Sequence, residues 1–190
     1  MVQTLIKLAF LLCVALQASA QTLRLSKSTV IGTGCKPGSA TVSVKNGVVS
    51  VDADNFQANA GPGVPISSNR KNCQAALTID IPAGYQFAFG ETKLPAQVKA
   101  DQGVQVSVGS EYYFQGTVSG DQDTATVPGG TSGTVTLVNE YAPKAWSSCG
   151  GSQVVNLNTA LRANNFNNKG ASGFIKTRGS VDTSIVWKKC

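Results

Sequence analysis

The fold class of this chain is decided by Thr41-Val42-Ser43-Val44-Lys45-Asn46-Gly47-Val48-Val49-Ser50-Val51-Asp52. On both sides of Asn46-Gly47 valine alternates with polar residues, which is typical of β-strands that bury one face. Asn-Gly is a preferred pair for a two-residue type I′ turn, because both turn positions need a positive φ. Such a turn places Lys45 opposite Val48 and sets valine opposite valine on one side of the hairpin. The turn and the hydrophobic pattern therefore predict the same register.

The same alternation recurs along the rest of the chain, and no segment has the period of an amphipathic helix. The alternating segments are separated by Gly-rich or Pro-rich turns. They are Leu77–Ile81, Tyr85–Phe89, Val104–Val108, Val135–Val138, Val155–Leu161 and Val181–Trp187. This pattern predicts an all-β fold, an antiparallel β-sandwich of about 8 to 10 strands. Between the strands it predicts a long exposed loop at Asn164–Ser172 and a hairpin tip at Asp121-Gln122-Asp123.

The first twenty residues have the form of a secretory signal peptide. Lys7 precedes the apolar run Leu8–Leu16, and Ala18-Ser19-Ala20 supplies small residues for cleavage. We therefore expect residues 1–20 to be removed and residues 21–190 to form a single secreted domain. No later segment approaches the roughly 18 apolar residues of a membrane span. We expect a soluble extracellular protein that is monomeric or weakly associating.

Cysteine number and spacing predict disulfides. After Cys13 leaves with the signal peptide, four cysteines remain, which are Cys35, Cys73, Cys149 and Cys190. The chain has no histidine and no Cys-x-x-Cys pair, so we expect no metal site and no cofactor. Of the three connectivities we predict Cys35–Cys73 and Cys149–Cys190, because neighbouring cysteines in a meander of hairpins lie closer in space.

Short motifs around the cysteines resemble those of a known family. They are Gly32-Thr33-Gly34-Cys35-Lys36-Pro37-Gly38, then Asn69–Gln74 followed by Ile81–Phe87, then Ser147-Ser148-Cys149-Gly150, and Trp187-Lys188-Lys189-Cys190. The chain is similar in these motifs to small secreted proteins, mainly fungal, that are known only as a domain of unknown function. The resemblance implies secretion and two disulfides. It implies no active site.

Composition and charge narrow the function classes. Lys and Arg number 16 against 10 Asp and Glu, a formal net charge of +6. The basic residues are scattered and form no stripe, so we expect no nucleic-acid partner. The absence of histidine excludes Ser-His-Asp and Cys-His catalysis.

Asp52 and Asp54 are the candidate carboxylate site. Two residues apart on one strand, their side chains would project to the same side about 6 to 7 Å apart, between the separations of retaining and inverting glycosidases. Catalytic pairs normally come from different elements around a cleft, so the favoured interpretation is a solvated strand edge. A cation or sugar-hydroxyl site and acid/base catalysis are the alternatives.

The candidate ligand-binding residues are aromatic and asparagine side chains. Aromatic faces stack on sugar rings, and amides can hydrogen-bond sugar hydroxyls. The candidates are Trp146, Tyr141, Asn164, Asn165, Asn167 and Asn168. The alternatives are a core position for the aromatic residues and Asx turns within a polar loop.

From these features we predict a secreted, non-catalytic surface or binding protein that acts at a cell wall or a host–microbe interface. Its partner would be a cell-wall polysaccharide or a host surface protein. One alternative is a carboxylate-dependent carbohydrate-active enzyme, which would need two acidic side chains from different strands converging in a concave site. Another is a secreted effector or elicitor recognised by a host protein.

Overall fold

The computed structural model describes residues 23–117 and 120–190, and the predicted signal peptide lies outside these residues. The described residues form twelve β-strands and one short 3-10 helix at Ile66–Ser68. The all-β prediction is confirmed. The strand number exceeds the predicted one because several strands, among them β8, carry no regular alternation of apolar residues.

The twelve strands have the following bounds, given in chain order. They are β1 (Arg24–Ile31), β2 (Ala40–Lys45), β3 (Val48–Ala53), β4 (Gln57–Ala60), β5 (Arg70–Ile81), β6 (Tyr85–Ala100), β7 (Gln105–Phe114), β8 (Gly120–Val127), β9 (Thr131–Glu140), β10 (Gly151–Asn164), β11 (Gly173–Thr177) and β12 (Val181–Lys189).

Two antiparallel sheets make up the sandwich. The five-stranded sheet has the order β1-β5-β10-β7-β8, and the seven-stranded sheet contains β2-β3-β12-β6-β11-β4 with β9 also paired to β6. The long strand β6 pairs with β12 through its first half and with β11 through its second half. Its residues Glu91–Ala100 pair with β9 as well. Strand β6 therefore connects every part of the larger sheet.

The β2–β3 hairpin has the predicted register. Lys45 lies opposite Val48, Val44 opposite Val49 and Val42 opposite Val51. Both turn residues have positive φ, 51° at Asn46 and 75° at Gly47, as a type I′ turn requires. The valines of β3 at positions 49 and 51 are buried, so the predicted apolar face of the hairpin lies against the core.

Aromatic side chains fill the space between the two sheets. Phe87 and Phe89 of β6 meet Phe114 and Tyr112 of β7, and all four are fully buried. The ring centroids of Phe87 and Phe114 lie 5.3 Å apart, and those of Phe89 and Tyr112 lie 5.1 Å apart, both edge to face. Each such pair contributes about 0.5–1.5 kcal/mol beyond the area it buries. This cluster fixes the two sheets against each other.

Both predicted disulfides are confirmed. Cys35–Cys73 joins the segment before β2 to β5, and Cys149–Cys190 joins the segment before β10 to the residue after β12. The first is buried within the core, whereas both cysteines of the second are exposed. The two bonds close loops of similar length but lie in different surroundings.

Candidate functional site

A polar groove of about 410 Å³ lies on the solvent-facing side of the five-stranded sheet. It crosses β5, β10, β7 and β8, and it arises from the alternation of side chains along those strands. On β10, Leu157 and Leu161 point into the core, whereas Asn158, Ala160 and Arg162 line the groove. The face opposite the hydrophobic core is therefore a continuous polar surface.

The floor of the groove is low because small residues meet there. Gly109 of β7 lies opposite Ala160 of β10 on one side and opposite Thr124 of β8 on the other. A Cβ atom at position 109 would come within 3.3 Å of the Thr124 hydroxyl oxygen. The absence of a side chain at this position leaves open the space between the taller rows on either side.

The two rows flanking the floor differ in charge. On one side Arg70 of β5 lies opposite Arg162 of β10, which lies opposite Ser107 of β7. On the other side Glu111 lies opposite Asn158 and accepts a hydrogen bond of 2.9 Å from the Asn158 amide. The groove is thus basic at one end and contains a carboxylate at the other.

A second depression of about 660 Å³ continues past the carboxylate end. It shares Glu111 and Gln122 with the groove and is also lined by Tyr113 and Lys144. The Tyr113 side chain is 38% exposed and is the large aromatic residue on this surface. From Gln105 to Tyr113 the combined surface extends about 26 Å along β7, at about 3.3 Å per residue.

Asp121 and Asp123 belong to β8, so the predicted hairpin tip at this position is wrong. Asp121 is buried, and one of its oxygens accepts hydrogen bonds from the backbone N–H groups of Lys144 (3.0 Å) and Ala145 (2.9 Å). The two oxygens of Asp123 accept from the backbone N–H groups of Thr124 (2.7 Å) and Glu140 (2.9 Å). These carboxylates bind backbone donors at the sheet edge, which explains an acidic cluster in a strand.

Tyr141 was predicted as a ligand-binding residue, and this is wrong because its side chain is buried in the core. Its hydroxyl donates to Ser110 Oγ at 2.8 Å and lies 3.0 Å from Thr92 Oγ1. Thr92 in turn lies 2.9 Å from the hydroxyl oxygen of Thr183. Tyr141 therefore completes a chain of hydroxyl groups that links the two sheets and has no surface to offer a ligand.

Trp146 lies outside the groove and is half-buried. Its indole N–H donates to the Pro143 carbonyl at 3.1 Å, and the Lys188 ammonium lies 4.2 Å from its ring centroid. Both its polar atom and one ring face already have partners within the protein. Its role in binding stays a prediction.

The asparagine loop lies at the basic end of the groove. Asn164 lines the groove, and its side chain accepts a hydrogen bond from the Phe166 N–H in an Asx turn. Asn165 is buried and donates to the carbonyls of Lys169 and Ala171, so it holds the loop together and cannot serve as a surface residue. Asn167 and Asn168 are exposed, and the Asn168 amide donates to the Gln102 carbonyl.

The structure does not bring Trp146 and the asparagine loop together. Ser147, next to Trp146, donates its N–H to the Phe87 carbonyl near the start of β6. Asn168 binds Gln102, two residues past the end of β6. At about 3.3 Å per residue these positions are on the order of 45 Å apart. Trp146 and the asparagine loop therefore do not lie on one ligand-binding face.

Asp52 and Asp54 do not have the geometry that made them candidates. Strand β3 ends at Ala53, and Asp54 lies in the following turn, where its N–H donates to the Ser39 carbonyl. Both aspartates are exposed and belong to the seven-stranded sheet side, away from the groove. Their carboxylates therefore do not extend from one strand into a shared site.

We expect the buried tyrosines to make folding stability fall at alkaline pH. Burial and the neighbouring Asp121 carboxylate raise the pKa of Tyr112, and burial raises the pKa of Tyr141. The unfolded chain loses both protons from about pH 10 upward while the folded chain keeps them. The free energy of unfolding should then fall with rising pH, by up to about 1.4 kcal/mol per pH unit for each tyrosine.

Urea unfolding between about pH 8 and about pH 11 tests this expectation, with Tyr141→Phe as the matched variant. The variant loses a hydrogen bond at every pH, but its stability should fall less steeply above about pH 10. Equal slopes for the two proteins would show that Tyr141 titrates alike in the folded and unfolded states.

Within residues 23–117 and 120–190, acidic and cysteine side chains form no group of three or more that could hold a metal ion. The same residues contain no helix with the length and apolar character that crossing a membrane demands.

The fold and the groove define an all-β, disulfide-bonded protein with a polar surface on one sheet. The chain belongs to the family described as Domain of unknown function (DUF4360), which matches residues 21–190. A relative from Arthroderma benhamiae, described as an uncharacterized secreted protein, is 30% identical over 169 residues. The match covers 84% of this chain and 68% of the relative. The resemblance predicted from the cysteine motifs is confirmed.

Solved structures show only distant similarity. The TmCBM61 protein in complex with beta-1,4-galactotriose is 12% identical with a TM-score of 0.27, covering 87% of this chain and 90% of that chain. The family 11 carbohydrate-binding module of Clostridium thermocellum in complex with a beta-1,3-1,4-mixed-linked tetrasaccharide is 9% identical with a TM-score of 0.27, covering 85% and 86%. At TM-scores this low, neither the ligands nor the binding sites of these structures carry over to this chain.

Proposed function

We propose that this chain is an extracellular, non-catalytic carbohydrate-binding protein whose ligand lies in the groove on the five-stranded sheet. The observation that carries the proposal is the open groove itself, which has a floor of small residues and polar side chains along both flanks. The signal-peptide pattern, the two disulfides and the secreted relative support an extracellular location.

The side chains of the groove suit a sugar polymer. Sugar hydroxyls both donate and accept hydrogen bonds, and side-chain amides do the same. Four amide residues line the groove, which are Gln105, Gln122, Asn158 and Asn164. Tyr113 adds a partly exposed aromatic ring at the far end, where a sugar ring can stack. An elongated groove that is open to solvent accommodates a chain better than a single small molecule.

One observation favours the alternative of a carbohydrate-active enzyme. Glu111 of β7 and Asp123 of β8 both line the groove, as two acidic residues from different strands. However, both oxygens of Asp123 already accept backbone N–H groups, which fixes this carboxylate to the sheet edge. Glu111 is then left without a second free carboxylate across the groove, so we favour binding over acid/base hydrolysis.

The test is retention of the purified protein on insoluble chitin, glucan, cellulose and pectin, with washes at low and high salt. We expect Ala160→Phe to lower the affinity for the retained polymer by about tenfold or more, because the new ring fills the groove floor. Ser43→Phe is the matched control, since Ser43 is exposed on the outer side of β2 in the other sheet. Thermal midpoints of both variants separate lost binding from lost folding.

Equal retention of Ala160→Phe and the parent would contradict the groove as the binding site. No retention on any polymer would contradict carbohydrate binding itself. Release of soluble sugar that disappears in Glu111→Gln, with retention unchanged, would instead support the enzyme.

A further inference from the structure

We infer that Arg70 and Arg162 form a site for the carboxylate of an acidic sugar unit, so that the groove selects polyuronates over neutral polysaccharides. This inference rests on the proposed function and names its ligand class.

The two arginines are held side by side by strand pairing. Arg70 of β5 and Arg162 of β10 are directly opposite residues in an antiparallel pair, both are exposed, and both line the groove. Like charges directly opposite each other in a sheet are destabilising. A pair placed this way on the groove surface has no benefit for folding, which is a reason to assign it to a ligand.

No acidic side chain of the described residues neutralises the pair. In residues 23–117 and 120–190 the single ion pair within 4.0 Å joins Lys93 to Glu91, on the other sheet. The groove residues beside Arg162 are neutral, with Ser107 opposite it and Thr126 opposite Ser107. Glu111 lies four residues from Ser107 along β7, about 13 Å away at 3.3 Å per residue. Both guanidinium groups are therefore available for an external anion.

The chemistry of this end matches a uronate. A guanidinium presents its N–H donors as a planar fork that binds both oxygens of a carboxylate. A polyuronate carries one carboxylate on each sugar, so any unit placed at the arginines supplies the anion. The adjacent amides of Asn164 and Gln105 lie opposite each other and can bind the hydroxyls of the same or the next unit.

The experiment compares polygalacturonate with its methyl-esterified form, which keeps the sugar backbone and removes the charge. We expect the native protein to bind the free acid about tenfold or more tightly at low salt. The difference should shrink at about 1 M salt, where screening acts over about 3 Å. Arg70→Gln and Arg162→Gln should each weaken binding to the free acid several-fold and weaken binding to the ester less, so that the preference for the acid shrinks.

Arg24→Gln is the matched control, because Arg24 is an exposed arginine on β1 of the same sheet and does not line the groove. It should bind the free acid like the parent. The thermal midpoints of Arg70→Gln and Arg162→Gln should not fall, since each substitution removes a repulsion.

Equal affinity for the acid and the ester, or unchanged affinity in both groove variants, would overturn the inference. So would displacement of polygalacturonate by a sulfated dextran at lower concentration than by free galacturonate oligomers, since the site would then prefer a sulfate ester. Binding to a neutral polymer that Ala160→Phe abolishes, with no preference for charge, would overturn only this inference. Failure to bind any polymer would overturn the proposed function with it.

Discussion

A mild reductant should open Cys149–Cys190 at least about a hundredfold faster than Cys35–Cys73 under native conditions. Thiol–disulfide exchange requires a thiolate to reach a sulfur atom, so access controls the rate. Cys35 is 0% and Cys73 is 5% exposed, whereas both cysteines of the other bond are exposed. We therefore expect a long-lived species that keeps only the buried bond.

Opening Cys149–Cys190 should lower the free energy of unfolding by up to about 4 kcal/mol, because the unfolded chain regains the entropy that the closed loop had removed. The two cysteines of this bond are 41 residues apart. The measurement is a time course of reduction with alkylation and peptide mass mapping at each time. The double variant Cys149→Ser with Cys190→Ser should lack the fast phase. Equal rates for the two bonds would mean that global unfolding precedes reduction.

Asp121→Ala should lower the free energy of unfolding by about 3 kcal/mol. The substitution removes the buried carboxylate that accepts the N–H groups of Lys144 and Ala145, and these donors lose their partner at the sheet edge. A buried donor without a partner costs about 1–3 kcal/mol, and more is lost when the missing acceptor was charged. Lys144 also lines the second depression, so the surface beside Tyr113 should change shape as well.

Urea unfolding measures this change, with Asp52→Ala as the control because Asp52 is an exposed strand aspartate. The control should stay within about 0.5 kcal/mol of the parent. Asp121→Asn, which retains one oxygen acceptor, should lose less than Asp121→Ala. A loss below about 0.5 kcal/mol for Asp121→Ala would show that water replaces the carboxylate as the acceptor for the N–H groups of Lys144 and Ala145.

Local sequence was sufficient where one short segment carried both the turn and the hydrophobic pattern. The β2–β3 hairpin is such a case, since Asn46-Gly47 sets the turn and valine on either side sets the face. The disulfide pairing was predicted correctly although its premise, a meander of hairpins, is wrong, because among the described strands only β2–β3 and β7–β8 pair as chain neighbours. The hairpin tip predicted at Asp121 was wrong because the partners of this residue are distant in the chain. An acidic strand residue is explained only by the backbone N–H groups that arrive from residues 144 and 145.

The groove could not be predicted from the sequence. Arg70, Gly109 and Ala160 come from three strands whose outward residues each resemble an ordinary solvated face. Only the pairing of β5 with β10 and of β10 with β7 places them side by side. The presence of an aromatic residue also did not predict a position on the binding surface. Of the two neighbouring tyrosines on β7, Tyr112 is buried and Tyr113 lines the second depression beside the groove, since successive strand residues point to opposite sides.

The position of β12 has a consequence for the order of assembly. This strand lies between β3 and β6 in the larger sheet, yet it follows both of them, and every other strand, along the chain. During synthesis the edges of β3 and β6 that pair with β12 stay unpaired until β12 has been made. Exposed edges of this kind pair with other chains, and long-range pairing is slow to form. We therefore expect the pairing of β12 with β3 and β6 to be a late step in the folding of the larger sheet.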